Sequence, residues 1–395
     1  MTLRSGKDSE CLGWKEHHIK QGNGKGGWIV KPSEYQFLHY SETGCSTGFG
    51  LVQMDNGEVV FLGAYRGTRD WGTSSPNPKD IKERVSIAFS NDRGDIWSEF
   101  ETVPDASGRP MMLAYLGKGN LTFTASWNKK HYRFFSNDYG RTWKERIPVQ
   151  LPSNSRFWAT EGNPLVDRDA STGSVTRMAK IGFNYAPKTW PMKPCDAFIR
   201  WSNDGGQTWT DETKPEAWRW QVEYKGKKYI RSVCEGSLVR AKNGWLVASL
   251  RMDTLPQYLS FARDSLEGTA VSISKDDGLT WSPLQTVCDT GRHHAHLLSM
   301  PNGDIIMTLT VRIDTKGGKL ASYRRGCEAI VSRDNGLTWD TNHKYILDEY
   351  EFYDGAKWFN GECGHLYSTL LDNGFILTTH NNYLSKGASL IRWQP

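Results

Sequence analysis

Ser90-Asn-Asp-Arg-Gly-Asp-Ile-Trp97 returns four more times along the chain. The other copies are Ser136-Asn-Asp-Tyr-Gly-Arg-Thr-Trp143, Ser202-Asn-Asp-Gly-Gly-Gln-Thr-Trp209, Ser274-Lys-Asp-Asp-Gly-Leu-Thr-Trp281 and Ser332-Arg-Asp-Asn-Gly-Leu-Thr-Trp339. The shared phrase is Ser-x-Asp-x-Gly-x-x-Trp. Its Asp is suited to accept backbone N–H groups and close a tight turn. Its Gly takes positive φ without steric cost. Its Trp is expected to begin the next strand and bury a large ring beneath the turn. Five copies at this length mark a repeat protein.

A second repeat lies upstream of most copies: an apolar run, a Gly-centred turn, then another apolar run. It occurs at Leu51–Leu62 around Gly57, Leu113–Phe123 around Gly119, Leu238–Ala248 around Gly244, Leu297–Met307 around Gly303 and Leu366–Leu377 around Gly374. A looser copy runs from Asn163 to Phe183. Asn-Gly between strand-like runs reads as a β-hairpin. Six hairpins and five boxes predict an all-β chain, a six-bladed β-propeller of four-stranded antiparallel blades, with residues 1–395 as one domain. The sixth unit ends without a box, so the N-terminal segment, about 1–45, is expected to complete the last blade, with Gln36 to Tyr40 as its strand.

The Ser-x-Asp-x-Gly-x-x-Trp phrase resembles the Asp-box, the bacterial neuraminidase repeat of the sialidase superfamily. The resemblance implies that each box joins the third and fourth strands of a blade on the side away from the active site. The boxes are therefore a fold signal without a catalytic part.

Composition narrows the classes of function. The chain has 395 residues and a net charge of +5, with 24% charged residues and no Lys/Arg block. That argues against nucleic acid and suits an acidic glycan. No apolar run reaches 18 residues, so no membrane span is expected. Residues 1–28 have no apolar h-region, so no signal peptide is visible. Localisation stays open between cytoplasmic and, with a trimmed leader, periplasmic or secreted. The seven Cys are odd in number, scattered and without metal spacing, and read as reduced thiols.

Register points to the site. Nine residues before each hairpin Gly stand Gly48, Glu235, His294 and His365, with Glu161 and the Arg109-Pro110 pair by looser alignment. Seven to nine residues after it stand Arg66, Arg251, Asp253, Arg312 and Asn381. Charged and imidazole groups thus gather where inner strands enter and leave one face. Buried charge is costly unless paired or bound to ligand.

The stretch from Cys234 to Arg251 resembles the sialidase segment in which a Glu begins an inner strand and an Arg ends the next. The resemblance implies that Glu235 activates the nucleophile and that Arg251 is one of three Arg gripping a substrate carboxylate. On that reading, losing Arg251 spares the fold. It also implies an acid/base Asp in the loop after Arg66, with Asp70 the candidate and Asp80 the weaker one. Two departures stand out. Cys45-Ser-Thr-Gly-Phe-Gly50 has no Arg where the family opens its first blade. Gly361-Glu-Cys-Gly-His365 puts His365 in the register of the family's nucleophilic Tyr, with Tyr367 two residues on. His293, His294 and His296, with His365 and His380, are candidates for acid/base work, sugar contact or metal binding. Spacing specifies no third ligand, and neither metal nor cofactor is assigned. Arg292, Arg312, Arg324 and Arg325 are candidate replacements for a missing Arg.

Taken together, the expected activity is exo-hydrolysis of a terminal acidic sugar, with sialic acid first. The alternatives are a hydrolase or lyase for a uronic acid or arabinose-containing glycan, and a non-catalytic glycan-binding propeller.

Overall fold

The structure, a computed structural model, describes residues 14–40, 44–67, 84–128, 130–150, 158–159, 162–184, 194–258, 266–316, 319–351, 366–382 and 387–395. It is all-β, made of small antiparallel sheets of the propeller-blade kind. The helical segments among the described residues are single 3-10 turns at Glu216–Trp218 and Pro256–Tyr258. Contacts divide the chain into two compact units: 1–149 with 168–175 and 345–395, and 150–167 with 176–344.

In the first unit, Gly44–Gln53, Val59–Gly67, Arg84–Ser90 and Glu101–Thr102 pair in sequence order as one four-stranded sheet. Ser107–Gly117, Asn120–Trp127, Lys130–Ser136 and Glu145–Pro148 form another. Leu366–Leu370, Ile376–Asn382 and Gly387–Trp393 take Trp28–Tyr40 as their fourth strand, with Gln36 opposite Leu390. An N-terminal strand thus joins the C-terminal sheet. The core between the first two sheets is aliphatic and aromatic, from Val60 and Leu62 to Phe123, Phe134 and Trp143.

In the second unit, Val233–Arg240, Leu246–Met252, Thr269–Ser274 and Gln285–Cys288 form a four-stranded sheet. Arg292–Ser299, Ile305–Val311 and Arg324–Ser332 pair in the same order. Val175–Asn184 pairs with Asp196–Ser202 in a further sheet. The strand second in order is buried throughout in Leu246–Met252 and again in Ile305–Val311. Their mostly apolar character follows from burial on both faces, with Ser249, Arg251, Thr308 and Thr310 as the buried polar exceptions.

The repeated turn joins the third to the fourth strand, as its chemistry predicts. In Ser136–Trp143 the serine hydroxyl donates to Asp138 at 2.7 Å and accepts the Gly140 N–H at 2.9 Å. Asp138 accepts the Thr142 N–H at 2.9 Å and the Thr142 hydroxyl at 2.6 Å. The same bonds recur around Asp204, Asp276 and Asp334. Two consecutive residues are left-handed in every copy: the one before the glycine and the glycine itself, as in Tyr139 at φ 59° and Gly140 at 83°.

The tryptophans differ from expectation in two respects. Each lies ahead of the fourth strand rather than in it; Trp97 precedes Glu101 and Trp281 precedes Gln285. Trp97 and Trp143 are buried, whereas Trp209, Trp281 and Trp339 are half-buried. The Trp143 ring packs edge-on against Phe123 at 4.6 Å and its indole N–H donates to Gly140 O at 2.9 Å. The Trp339 indole nitrogen has no partner. Trp143→Ala should therefore cost about 3–5 kcal/mol, and Trp339→Ala well under half of that. Denaturant unfolding of the two variants measures this, and equal losses would contradict the unequal burial.

Candidate active site

Two of the residues nine before the hairpin glycines, Glu235 and His294, prove to lie on β-bulges. The ladder shifts between Gly48 and Gly50, between Met111 and Ala114, between Val233 and Gly236, and between His293 and His296. A bulge puts two residues against one and re-aims a side chain. Glu235 and His294 sit in the bulges of two successive inner strands, and His294 is held at φ 53°. A non-glycine residue kept there costs of order 1–3 kcal/mol, a strain typical of functional positions.

The bulges bring a polar cluster together inside the second unit. Arg251, on Leu246–Met252, is buried and donates from Nη1 to Glu235 Oε2 at 2.5 Å. Its Nε donates to Glu267. His294 Nδ1 lies 3.0 Å from the same Glu235 oxygen, and its Nε2 lies 3.2 Å from Arg251 Nη1. The Thr254 hydroxyl donates to Glu267 Oε1 at 3.3 Å. Glu235 and Glu267 are 6% and 5% exposed, so two carboxylates flank one guanidinium out of water.

Glu267 was not singled out from the sequence. It stands two residues ahead of Thr269, which pairs with Arg251. Its one signal is Glu-Gly directly before a buried strand. A Cβ on Gly268 would meet Cys288 O at 2.1 Å, so only glycine lets the chain pass there.

The other expected residues fall in separate places. Asp253 accepts the Ser232 N–H at 2.7 Å, and burial holds its carboxyl above the usual range. His296, fully buried, turns from the Glu235 cluster; its Nε2 accepts from Asn163 Nδ2 at 2.6 Å. Arg312 is buried at 4% exposure. Arg109, in the first unit, is exposed. There too, Asn381 accepts the Gly48 N–H at 3.1 Å, joining two of the register positions. Tyr367 is buried, its hydroxyl 4.0 Å from Met111 sulfur. His380 is buried and paired with Asp348 at 2.9 Å, a structural contact in that unit. Arg66 ends Val59–Gly67, with its backbone alone described. Asp70, Asp80, Glu161 and His365 lie outside the described residues.

A second ionic cluster uses two of the candidate replacement arginines. Arg292 and Arg324 share Asp314, at 2.5 and 2.8 Å, and Glu328, at 3.2 and 2.5 Å. Burial pushes the Glu328 carboxyl up, but Arg292, Lys344 and Arg324 outweigh it and hold it down at about 2. Both arginines are thus committed to Glu328 of their own sheet and to Asp314 of the adjoining two-stranded ladder.

Glu235, His293 and His294 also offer one oxygen and two imidazole nitrogens within 4.8 Å of one another. Glu235 Oε2 already faces Arg251 at 2.5 Å. A cation placed there would compete with a guanidinium for the same oxygen, so this donor set fits an acid/base or binding part better than a metal centre.

Two outcomes follow. Contrary to the expectation that its loss spares the fold, Arg251→Met strands two buried carboxylates and should destabilise by about 3–5 kcal/mol; unfolding free energy within error of the parent would refute the pairing. Burial lowers the His296 pKa from 6.5 to about 4. The unfolded chain therefore takes up that proton first. The stability linked to neutral His296 is complete above pH 6.5 and lost as pH falls toward 4. Melting temperature followed over that range should fall more in the parent than in His296→Gln.

No curated protein matches the chain in sequence. Among solved structures, it resembles a protein of unknown function from Dyadobacter fermentans at 16% identity and TM-score 0.61, covering 97% of this chain and 100% of that one. It resembles the Hadza microbial sialidase Hz136 at 17% identity and TM-score 0.59, over 92% of this chain and 69% of that one. It resembles the Penicillium chrysogenum α-L-arabinanase, solved with arabinobiose, at 14% identity and TM-score 0.52, over 96% and 97%. Residues 82–371 match the BNR repeat-like domain family. With its five repeated turns and blade-type sheets, the chain belongs to that family, as a divergent member of the sialidase superfamily.

Proposed function

We propose that the chain is an exo-acting glycoside hydrolase that removes a terminal acidic sugar, sialic acid first among the substrates, from glycoconjugates. The reading takes residues 1–395 as one six-bladed propeller. The observation that carries it is the buried Glu235–Arg251–His294 cluster, three reactive groups within hydrogen-bonding distance at two inner-strand bulges.

In this reading Glu235 is the carboxylate that polarises the nucleophile, either Tyr367 or a water, and Asp70 or His365 handles the leaving-group proton. His294 Nδ1 lies 3.0 Å from Glu235 Oε2, within reach for a proton relay. Arg251 holds Glu235 in place. Arg312, in the same unit, is a further substrate contact proposed from register. A Tyr nucleophile retains configuration and a direct water attack inverts it.

One observation favours a second reading, a hydrolase for an arabinose-containing glycan. A Cβ on Gly162 would strike Gly236 O at 2.4 Å, so the residues that follow Glu161 and Glu235 in sequence pack backbone to backbone. A pair of carboxylates is the usual equipment of a glycosidase.

The experiment is release of 4-methylumbelliferone from its α-sialoside and its α-L-arabinofuranoside, with proton NMR following the first anomer formed. The first reading expects release from the sialoside and at least a hundredfold loss of kcat in Glu235→Gln, with Glu161→Gln milder. Release from the arabinoside alone, with Glu161→Gln as damaging as Glu235→Gln, would replace it by the second. Unaltered kcat in Glu235→Gln would overturn both.

A further inference from the structure

The second unit carries a strongly basic hairpin with a buried arginine at its root. Trp220–Tyr224 and Lys227–Arg231 pair with each other as a separate two-stranded sheet. Lys225 and Gly226 at its tip have φ of 50° and 70°, the left-handed pair that a tight hairpin turn requires. Residues 219–231 hold five basic side chains and one acid, a net +4 against +5 for the whole chain. Arg219, Lys225, Lys227 and Lys228 are exposed.

Arg231 differs from them. It is 4% exposed, and among the described residues its Nε and Nη2 have no hydrogen-bond partner. Its Nη1 reaches only its neighbour Ile230 O, at 3.4 Å. Other arginines of this unit hold carboxylates: Arg251 two, Arg292 and Arg324 two each, Arg200 one. A buried guanidinium with an open edge is costly unless an anion completes it. The open atoms are Nε and Nη2, the edge that binds a planar carboxylate through two parallel bonds.

We propose that Arg231 and its hairpin form an anion subsite that takes the carboxylate of an acidic glycan. This rests on the acidic-sugar reading above and names a residue outside the register positions that suggested it. Arg231 lies four residues before Glu235, and the charges of Asp253 and Glu267 act on it. It therefore stands beside the Glu235–Arg251 cluster rather than on a remote face. Burial holds the Asp253 carboxyl above its usual range, which softens its opposition to an incoming acid. The exposed lysines draw a polyanion toward this edge, and the field weakens with salt. Among the described residues the hairpin ladder pairs only with itself, so its basic edge is not part of a blade sheet.

The test is calorimetric titration of the full chain with free N-acetylneuraminate, with galacturonate and with neutral galactose. The acids are expected to bind and galactose not. Arg231→Gln should weaken acid binding at least tenfold with no loss of melting temperature, and Arg231→Lys should restore part of it. A Lys225/Lys227/Lys228→Ser variant should flatten the salt dependence of binding to polygalacturonate. If Arg231→Gln does not fold, the salt slope of the triple-lysine variant decides; an unchanged slope overturns the proposal. So does galactose bound as well as the acids, or no acid bound, or Arg231→Gln equal to the parent. Acid binding that depends on Arg231, without sialoside hydrolysis, removes the hydrolase reading and keeps this one. Hydrolysis with an unaltered KM in Arg231→Gln does the reverse.

Discussion

Arg251 lies between Glu235 and Glu267, out of water, and the rest of the candidate site is arranged around that fact. A buried guanidinium without an anion is costly, and so is either buried carboxylate without its cation. Together they form a triad that persists because each member holds the others. Its consequence is rigidity where reactivity is wanted. Glu235 has one oxygen fixed by Arg251 and faced by His294, so its orientation is set before any substrate arrives.

The backbone makes that triad possible. An unbroken ladder would alternate side chains strictly between the two faces of a blade. The bulges at Val233/Gly236 and His293/His296 break the alternation at the same point of two successive inner strands. The glycines beside them permit close passage: Gly236 has room for a hydrogen but not for a Cβ, with Ile181, Leu250 and Ser249 O all within 3.0 Å. Neighbouring strands are stitched nearby, for the Ser237 hydroxyl accepts the Leu297 N–H at 3.0 Å. Strain at His294 is thus held by packing around it.

Much of the fold was legible because its signals are local. A turn that needs an Asp acceptor, two left-handed residues and a Trp lid writes itself into eight consecutive positions, and five copies fix the period. The joining of Trp28–Tyr40 to Gly387–Trp393 followed from a count, since the last hairpin lacked a box. The site was partly legible for a related reason: Glu235, Arg251 and His294 hold fixed offsets from a hairpin glycine. Glu267 was not, because a residue ahead of a third strand has no such offset. The commitment of Arg292 to Asp314 and Glu328 was equally hidden, since ion-pair partners separated by 22 and 36 positions leave no trace in spacing. Nor does spacing reveal an arginine such as Arg231, whose interest lies in what it fails to touch.

The most direct test of the account is a double-mutant cycle across Arg251 and Glu267, read as unfolding free energy for Arg251→Met, Glu267→Gln and the pair. If the triad organises the site, the two losses will not add: the double variant should be more stable than the sum of the singles by about 1–3 kcal/mol. Additive losses would mean that the two residues do not share their burial, and the description of the site as one coupled cluster would be wrong.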